Sequence, residues 1–228
     1  MTAEITVLSA GAVEPGLSKV VDAFRRETGN EVRVTFATAP AIRKRLSSGE
    51  TADLVIAPAD LFDELEKTST ALDRNAVGRI GVGVMVRDGA PMPKIATVNE
   101  FTQSLLGAES IVYNQASTGL YLESLFDRLG ISAQLKAKTT RHPDFAAVRD
   151  HVSKGTGNEI GLGAITVIIE SASKGLRFVG PLPAEIQNYT TYAATVTADD
   201  PARPAAMLLL QYLTSAKAKT IFTSVGIE

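Results

Sequence analysis

The first strand-to-helix junction of the chain reads ITVLSAGAVEPG at residues 5–16. Its apolar start is typical of a buried strand, and a loop of small residues leads from it directly into an amphipathic helix. The first turn of a helix has backbone N–H groups without internal acceptors and carries the positive end of the helix dipole. This loop is therefore predicted to bind an anion. Its predicted ligand-binding residues are Ser9, Ala10, Gly11 and Ala12.

Two further junctions have the same character. Alternating apolar residues end in ATAPA at residues 37–41, and a third predicted strand ends in NQASTG at residues 114–119. Ligands of open parallel sheets bind outside the carboxyl ends of the strands, so the three loops together predict a cleft for a small anion. The residues predicted to bind it from these two loops are Thr38, Ala39, Ser117, Thr118 and Gly119, and Arg43, early in the helix after the second loop, could approach it.

The order of elements predicts an α/β fold. In the first helix, Leu17, Val20, Val21 and Phe24 follow helical spacing, and Gly29 supplies a left-handed end. Strand and helix signals then alternate as βαβαβα, which favours a parallel sheet with right-handed crossovers. A glycine-rich alternating stretch at residues 78–89 is predicted to link two lobes.

Composition excludes several classes of protein. The chain has 228 residues, a net charge of −2 and no cysteine. It therefore has no disulfide, thiolate metal site or cysteine nucleophile, and no electrostatic reason to bind nucleic acid. No apolar stretch approaches the roughly 18 residues that a membrane span requires.

Sequence motifs predict no catalytic residue, metal site or cofactor. The glycine-rich GTGNEIGLG at residues 155–163 precedes a strand and lacks the dinucleotide-binding spacing. Ser117 lies in ASTG rather than in a nucleophile elbow. His142 and His151 are nine residues apart without a carboxylate at metal-ligand spacing, so surface or helix-face roles are favoured over zinc ligation.

Several segments in this order resemble the bacterial type II periplasmic solute-binding proteins, in particular the branch related to molybdate-binding proteins. They are residues 5–58 (ITVLSAGAVEPG to ADLVIAP), LYLESLFDRLGI at 120–131, EIGLGAIT at 159–166, GLRFVGPLPAEIQNYTTYAATV at 175–196 and LLLQYLTSAKAKTIF at 208–222. The resemblance covers nearly the whole chain, and its specificity comes from the order and spacing of these segments.

The resemblance implies two α/β lobes with parallel sheets, joined by two crossover strands near residues 79–87 and 189–197, that close on a ligand by hinge motion. Lobe 1 would comprise residues 1–80 and 195–228, lobe 2 would comprise residues 81–194, and the ligand cleft would lie between them.

The resemblance also implies site residues. In the molybdate binders a serine in each of the first two loops, backbone amides of the other lobe and a tyrosine near the second crossover hold the ligand. In this sequence the matching positions are Ala12, Thr38 or Ala39, the loops at 117–119 and 165–166 with Thr166, and Tyr192 or its neighbours. Ala12 lacks the hydroxyl, which argues against molybdate because lost hydrogen bonds to a buried dianion are costly.

The implied function is the solute-binding component of an ABC-type uptake system for a small anion, an organic acid or an oxyanion. Such a protein is a monomer without a cofactor, works in the periplasm and delivers its ligand to a membrane permease. One alternative is a small-carboxylate isomerase, similar to aconitate isomerase, on the same scaffold; it needs a base that the sequence does not single out. Another is a cytoplasmic ligand sensor.

Overall fold

The computed structural model describes residues 4–66, 74–197 and 203–228. The strands are β1 (Ile5–Ala10), β2 (Val32–Ala37), β3 (Leu54–Pro58), β4 (Asn75–Arg87), β5 (Ser110–Asn114), β6 (Thr139–His142), β7 (Glu159–Ala164), β8 (Leu176–Pro181) and β9 (Tyr189–Val196). The helices are α1 (Glu14–Thr28), α2 (Ala39–Ser47), α3 (Ala59–Glu66), α4 (Val98–Gly107), α5 (Ser117–Arg128), α6 (Ser132–Lys136), α7 (Phe145–Lys154), α8 (Ile165–Glu170), α9 (Arg203–Leu213) and α10 (Ala216–Thr223). Within the described ranges, no helix combines the length and the apolar character that crossing a membrane requires.

The chain divides into two compact units. Unit 1 comprises Met1–Ile80 and Thr190–Glu228, and unit 2 comprises Gly81–Tyr189. The chain therefore passes between the units twice, once within β4 and once at the start of β9. Residues 190–194, expected in the second lobe, group with unit 1 because β9 pairs with β3 from residue 192 to residue 196.

The sheet of unit 1 has β1 at its centre. Strands β2 and β3 flank β1, and both run parallel to it. This confirms the parallel arrangement that the βαβαβα order predicts. Strand β9 comes from the far end of the sequence and extends the sheet antiparallel to β3, so unit 1 is built from both ends of the chain.

Helix α1 forms as its apolar spacing predicts. Leu17, Val20 and Phe24 are fully buried, and Gly29 ends the helix with a left-handed φ of 71°. The ring of Tyr212 on α9 meets Phe24 edge to face, with ring centroids 5.4 Å apart. The first helix and a helix from the C-terminal part of the chain therefore share one core.

A reciprocal set of hydrogen bonds joins β1 to the residue just before β3. The Asp53 Oδ2 atom accepts hydrogen bonds from the Thr6 N–H and the Thr6 hydroxyl, both at 2.7 Å. The Asp53 N–H donates to Thr6 Oγ1 at 3.0 Å and to the Thr6 carbonyl at 2.9 Å. These bonds fix the register of two strands that are 47 residues apart in the sequence.

We expect Asp53→Ala to destabilise the protein by roughly 1–3 kcal/mol, because it leaves partly buried Thr6 donors without their acceptor. Asp53→Asn is the matched control, since its side-chain carbonyl can still accept from both donors. Urea unfolding followed by circular dichroism measures the difference. Equal loss of stability in the two variants would contradict this role.

The sheet of unit 2 has a parallel centre and antiparallel additions. Strand β5 lies between β6 and β7 and runs parallel to both. Strand β4 is antiparallel to β7 and to β8, with a register shift between Val84 and Met85 where it pairs with β8. Unit 2 is therefore a mixed sheet, in which the predicted parallel pairs form the part nearest the loop at residues 114–119.

The glycines of β7 are packing positions. A Cβ on Gly161 would lie 2.5 Å from the Met85 Cε atom, and one on Gly163 would lie 2.7 Å from the Phe145 ring. Both neighbours are side chains that fill space beside the strand. The GLG sequence thus brings β4 and α7 close to β7.

Candidate functional site

The two loops of unit 1 that were predicted to bind an anion follow neighbouring parallel strands. Ala10, the last residue of β1, is paired with Ala37, the last residue of β2. A Cβ on Gly11 would lie 4.0 Å from the Ala37 carbonyl oxygen. The structure therefore brings the loops at 9–12 and 38–39 together at the carboxyl edge of the sheet, where α/β proteins bind ligands.

Tyr192 lies at the same edge of unit 1. It is paired with Pro58, the last residue of β3, and β3 neighbours β1 through the pairing of Ile56 with Ser9. Its position beside the two loops follows from the antiparallel addition of β9.

Helices at the predicted ligand-binding loops begin without a side-chain cap. The N-cap residues are Ala10 for the 3-10 turn Gly11–Val13, Thr38 for α2, Ala116 for α5 and Ala164 for α8, and none of their side chains makes a capping hydrogen bond. Alanine has no oxygen with which to cap, and the Thr38 hydroxyl makes no capping bond to α2. None of these four first turns therefore has a side-chain cap from its N-cap residue.

Three other helices in the described part of the chain have a side-chain cap. Thr97 caps α4, Asp144 caps α7 and Ser215 caps α10, each by accepting the N–H group three residues ahead at 2.9–3.2 Å. Helices α1 and α6 lack such a cap. The missing side-chain cap is therefore common to the four helix starts at the predicted ligand loops but is not confined to them.

The first loop of unit 1 offers backbone rather than side-chain donors. Ser9 is fully buried, and its hydroxyl donates to the Ala10 carbonyl at 3.3 Å. Ala12 is partly exposed and has no polar side-chain atom. The predicted role of this loop in anion binding therefore depends on backbone groups rather than on side chains.

The second loop of unit 1 includes the predicted residues Thr38, Ala39 and Arg43. Thr38 has an extended backbone and is partly exposed, whereas Ala39 is buried in the first turn of α2. The Arg43 Nε atom lies 2.7 Å from Glu64 Oε2, and its Nη2 donates to Glu64 Oε1 at 3.1 Å. The Arg43 charge is therefore compensated by α3, and Thr38 is the side-chain donor that this loop provides.

Tyr192 is a neutral hydroxyl at the unit 1 edge. Burial raises its pKa well above the ordinary value, and the carboxylate of Asp60 raises it further, while a hydrogen bond with Thr190 opposes the shift. The side chain is only 5% exposed. Tyr192 can therefore donate a hydrogen bond to an anion without adding charge.

The raised pKa of Tyr192 has a consequence at alkaline pH. Because the folded state resists ionisation, the native protein keeps this contribution to stability below about pH 10, the ordinary tyrosine value, and loses it as the pH rises further. The free energies of unfolding of the wild type and of Tyr192→Phe, measured with urea, should therefore converge or cross between pH 10 and roughly 11.5. If the two free energies of unfolding differed by the same amount at every pH in this range, the raised pKa of Tyr192 would be contradicted.

Unit 2 presents its own pair of loops at a carboxyl edge. Strands β5 and β7 are neighbours through the pairing of Val112 with Gly161, and they lead into α5 and α8, respectively. Ser117 and Thr118 are partly exposed in the first turn of α5. Thr166, in α8, is buried. The loop at 117–119 therefore has two partly exposed hydroxyl groups, whereas Thr166 is enclosed within unit 2.

Gly119 sets the path of the unit 2 loop. A Cβ at this position would lie 1.8 Å from the Asn114 carbonyl oxygen and 3.2 Å from the Tyr113 ring. The Asn114 side chain accepts the Ala116 N–H at 3.2 Å, which closes the turn between β5 and α5. Only glycine allows α5 to start so close to the end of β5.

Sequence reasoning missed two residues near these loops. Asn114 shapes the turn into α5, and an Asn two residues before a helix N-cap is a recognisable signal for such a turn. Asp60, in the first turn of α3, is the second, and its carboxylate raises the pKa of Tyr192. Nothing local in the sequence links these two residues, because β9 and α3 meet only in the folded sheet.

The described residues contain no group of three or more His, Cys, Asp or Glu side chains that could hold a metal ion. The loops therefore offer hydrogen-bond donors at the carboxyl edge of each unit. Such donors, arranged around neutral hydroxyls, suit an anionic ligand.

Comparison with known proteins agrees with this description. A family model described as bacterial extracellular solute-binding protein matches residues 5–228. The chain is 30% identical to an aconitate isomerase of Pseudomonas sp over 98% of this chain and 87% of that protein. It is 24% identical to the molybdate-binding protein ModA of Escherichia coli (strain K12), over 85% of this chain and 77% of that protein.

Solved structures share the fold. The periplasmic molybdate-binding protein of Azotobacter vinelandii superposes with a TM-score of 0.82 and covers 98% of both chains at 16% identity. This likeness confirms the α/β fold of the type II periplasmic binding proteins. Because the family model extends over almost the entire sequence, the chain belongs to the bacterial extracellular solute-binding protein family.

Proposed function

We propose that this chain is the solute-binding component of an ABC-type uptake system and that it binds one small anion. The candidate ligand-binding elements of unit 1 are the loops at 9–12 and 38–39 together with Tyr192. Those of unit 2 are the loops at 117–119 and 165–166. The protein would act as a monomer in the periplasm and deliver its ligand to a membrane permease.

One observation carries this proposal, namely the uncapped helix starts at the carboxyl edges of both sheets. Four first turns lack a side-chain cap at the predicted ligand loops, whereas α4, α7 and α10 have one. Helix starts attract anions through the positive end of the helix dipole, so several of them at the predicted loops favour an anionic ligand.

The donors favour a ligand held by hydrogen bonds over one held by ion pairs. Arg43 is already paired with Glu64, and Tyr192 is neutral. Oxyanions and small organic acids both suit such a site. The relatives include one protein of each kind, a molybdate-binding protein and an aconitate isomerase, so the proposal covers both ligand classes.

A thermal-shift panel tests the proposal. Molybdate, tungstate, sulfate, phosphate, citrate and both aconitate isomers are each added to the purified protein. A ligand at about one hundred times its dissociation constant should raise the melting temperature by roughly 5–10 °C. A rise in melting temperature with tetrahedral anions alone would identify the ligand as an oxyanion, and a rise with carboxylates alone would identify it as an organic acid. No change in melting temperature with any of these anions at millimolar concentrations would contradict the proposal.

A second candidate function is isomerisation of a small carboxylate at the same loops. The 30% identity to an aconitate isomerase over nearly the whole chain favours it. Such a reaction needs a base beside the substrate, and the exposed Asp60 carboxylate next to Tyr192 is the group at the unit 1 edge that could accept a proton.

Incubation with trans-aconitate, followed by proton NMR, separates the two functions. Conversion to the cis isomer that is lost in Asp60→Asn would establish the isomerase, with Asp60 as its base. Binding without conversion over many hours would leave the solute-binding function.

A further inference from the structure

The fold brings together the two histidines that the chain contains. His142 is the last residue of β6, and His151 lies on α7. The His142 Nε2 atom is 3.0 Å from the His151 Nδ1 atom, with ring centroids 5.2 Å apart and ring planes at 73°. At this distance one imidazole donates a hydrogen bond to the other.

Both histidines are held by the surrounding backbone. His142 is paired with Asn114 of β5, and its carbonyl accepts the Gln115 N–H at 2.9 Å. Helix α7 is fixed by the Asp144 cap and by Val148 and Val152, which are fully buried. The two ring nitrogens therefore stay close without support from a bound ligand.

This spacing suits two ligands of one metal ion. An imidazole nitrogen binds a divalent transition metal at about 2.0–2.1 Å, so two such nitrogens at an angle between 90° and 110° lie roughly 2.8–3.4 Å apart. Both residues are partly exposed, which leaves room for water at the other coordination positions. Among the described residues, no third His, Cys, Asp or Glu side chain joins the two histidines in a possible metal site. The protein would therefore supply two ligands.

We propose that His142 and His151 form a two-imidazole site for a borderline divalent metal ion, with Cu²⁺ bound in preference to Ni²⁺ and Zn²⁺. Neutral imidazole is the preferred protein ligand of these ions, and the order of affinity follows their general series. On binding, the hydrogen between the two nitrogens moves to the other nitrogen of its ring, so each facing nitrogen has a free lone pair. The rings turn slightly so that both lone pairs converge on the metal.

The site is separate from the proposed anion loops in chemistry, since it uses imidazole nitrogens rather than N–H donors. Its test therefore does not depend on the proposed function. The sequence also simplifies the interpretation of metal binding, because the chain has no other histidine and no cysteine that could bind these ions.

Calorimetric titration with CuSO₄, NiCl₂ and ZnCl₂ tests the site. The protein is used without an affinity tag, because a polyhistidine tag binds the same ions, and in a buffer that does not chelate metals. We expect one ion per chain, a rise in melting temperature of roughly 5–10 °C at about one hundred times the dissociation constant, and reversal by EDTA. Electron paramagnetic resonance of the Cu²⁺ form should show two nitrogen ligands.

Two variants decide whether the histidines are the ligands. His142→Gln and His151→Gln should each lower the affinity at least about tenfold, because each removes one of two protein ligands. Melting temperatures measured without metal establish that both variants are folded. No Cu²⁺ binding by the wild type, or affinity retained in the two folded variants, would overturn the proposal.

Discussion

Replacement of Ala12 with aspartate is expected to lower the affinity for the bound anion by about 100-fold or more. Ala12 follows the N-cap of the first 3-10 turn and is partly exposed at the unit 1 edge. Two like charges 4 Å apart repel by about 4 kcal/mol at an effective dielectric constant of 20, and each 1.4 kcal/mol changes affinity tenfold. Calorimetric titration with the anion that stabilises the wild type measures the loss.

Ala12→Ser is the matched control for this substitution. It adds a hydroxyl of similar size without a charge, so it should retain affinity and improve it for a tetrahedral oxyanion. Both variants should melt close to the wild type because the position is not part of the core. Equal affinity of the aspartate and serine variants would mean that the first loop does not face the ligand.

Replacement of Gly119 with alanine is expected to destabilise the protein by about 3 kcal/mol, which lowers the melting temperature by roughly 6–12 °C. The added methyl carbon would lie 1.8 Å from the Asn114 carbonyl oxygen, and a backbone atom at the end of a strand cannot move aside as a flexible side chain can. Differential scanning calorimetry measures the change. The anion-binding affinity of the folded fraction should also fall, since the first turn of α5 must shift.

Gly107→Ala provides the control for a glycine in a helix. Gly107 is the last residue of α4, and a Cβ there would meet no atom within 4 Å. This change should be neutral or stabilise the protein by up to roughly 1 kcal/mol, because alanine loses less backbone entropy on folding. Similar melting temperatures for the two alanine variants would contradict the close approach at Gly119.

The sequence predicted elements whose signals are local. The apolar spacing of α1 and the left-handed Gly29 lie within fifteen residues of each other, and the structure confirms both. The parallel centre of each sheet followed from the alternation of strands and helices. The three loops were found because small residues at strand ends are visible in a single sequence.

Other features depend on residues that are distant in the sequence. Strand β9 joins β3 across more than 130 positions, and this pairing places Tyr192 beside Asp60. Arg43, which could approach the anion according to the sequence, pairs with Glu64 on the next helix. The nine-residue spacing of the two histidines did not indicate their contact. The contact forms because the chain turns between the end of β6 and the start of α7.

The candidate site was only partly visible in the sequence for a chemical reason. Backbone N–H groups are its main donors, and every residue except proline has one. The sequence therefore indicates where a loop lies but not whether its donors remain available. The missing side-chain caps became evident only in the structure. There, Thr38 is the N-cap residue of α2, but its hydroxyl makes no capping hydrogen bond.

The central claim is that the chain binds one small anion and releases it unchanged. The most direct test is calorimetric titration of the wild type with molybdate, sulfate, citrate and trans-aconitate, followed by NMR analysis of the recovered ligand. The account predicts binding of one molecule per chain for at least one of these anions, with the ligand recovered intact. No binding at millimolar concentrations, or conversion of the ligand during the titration, would contradict it.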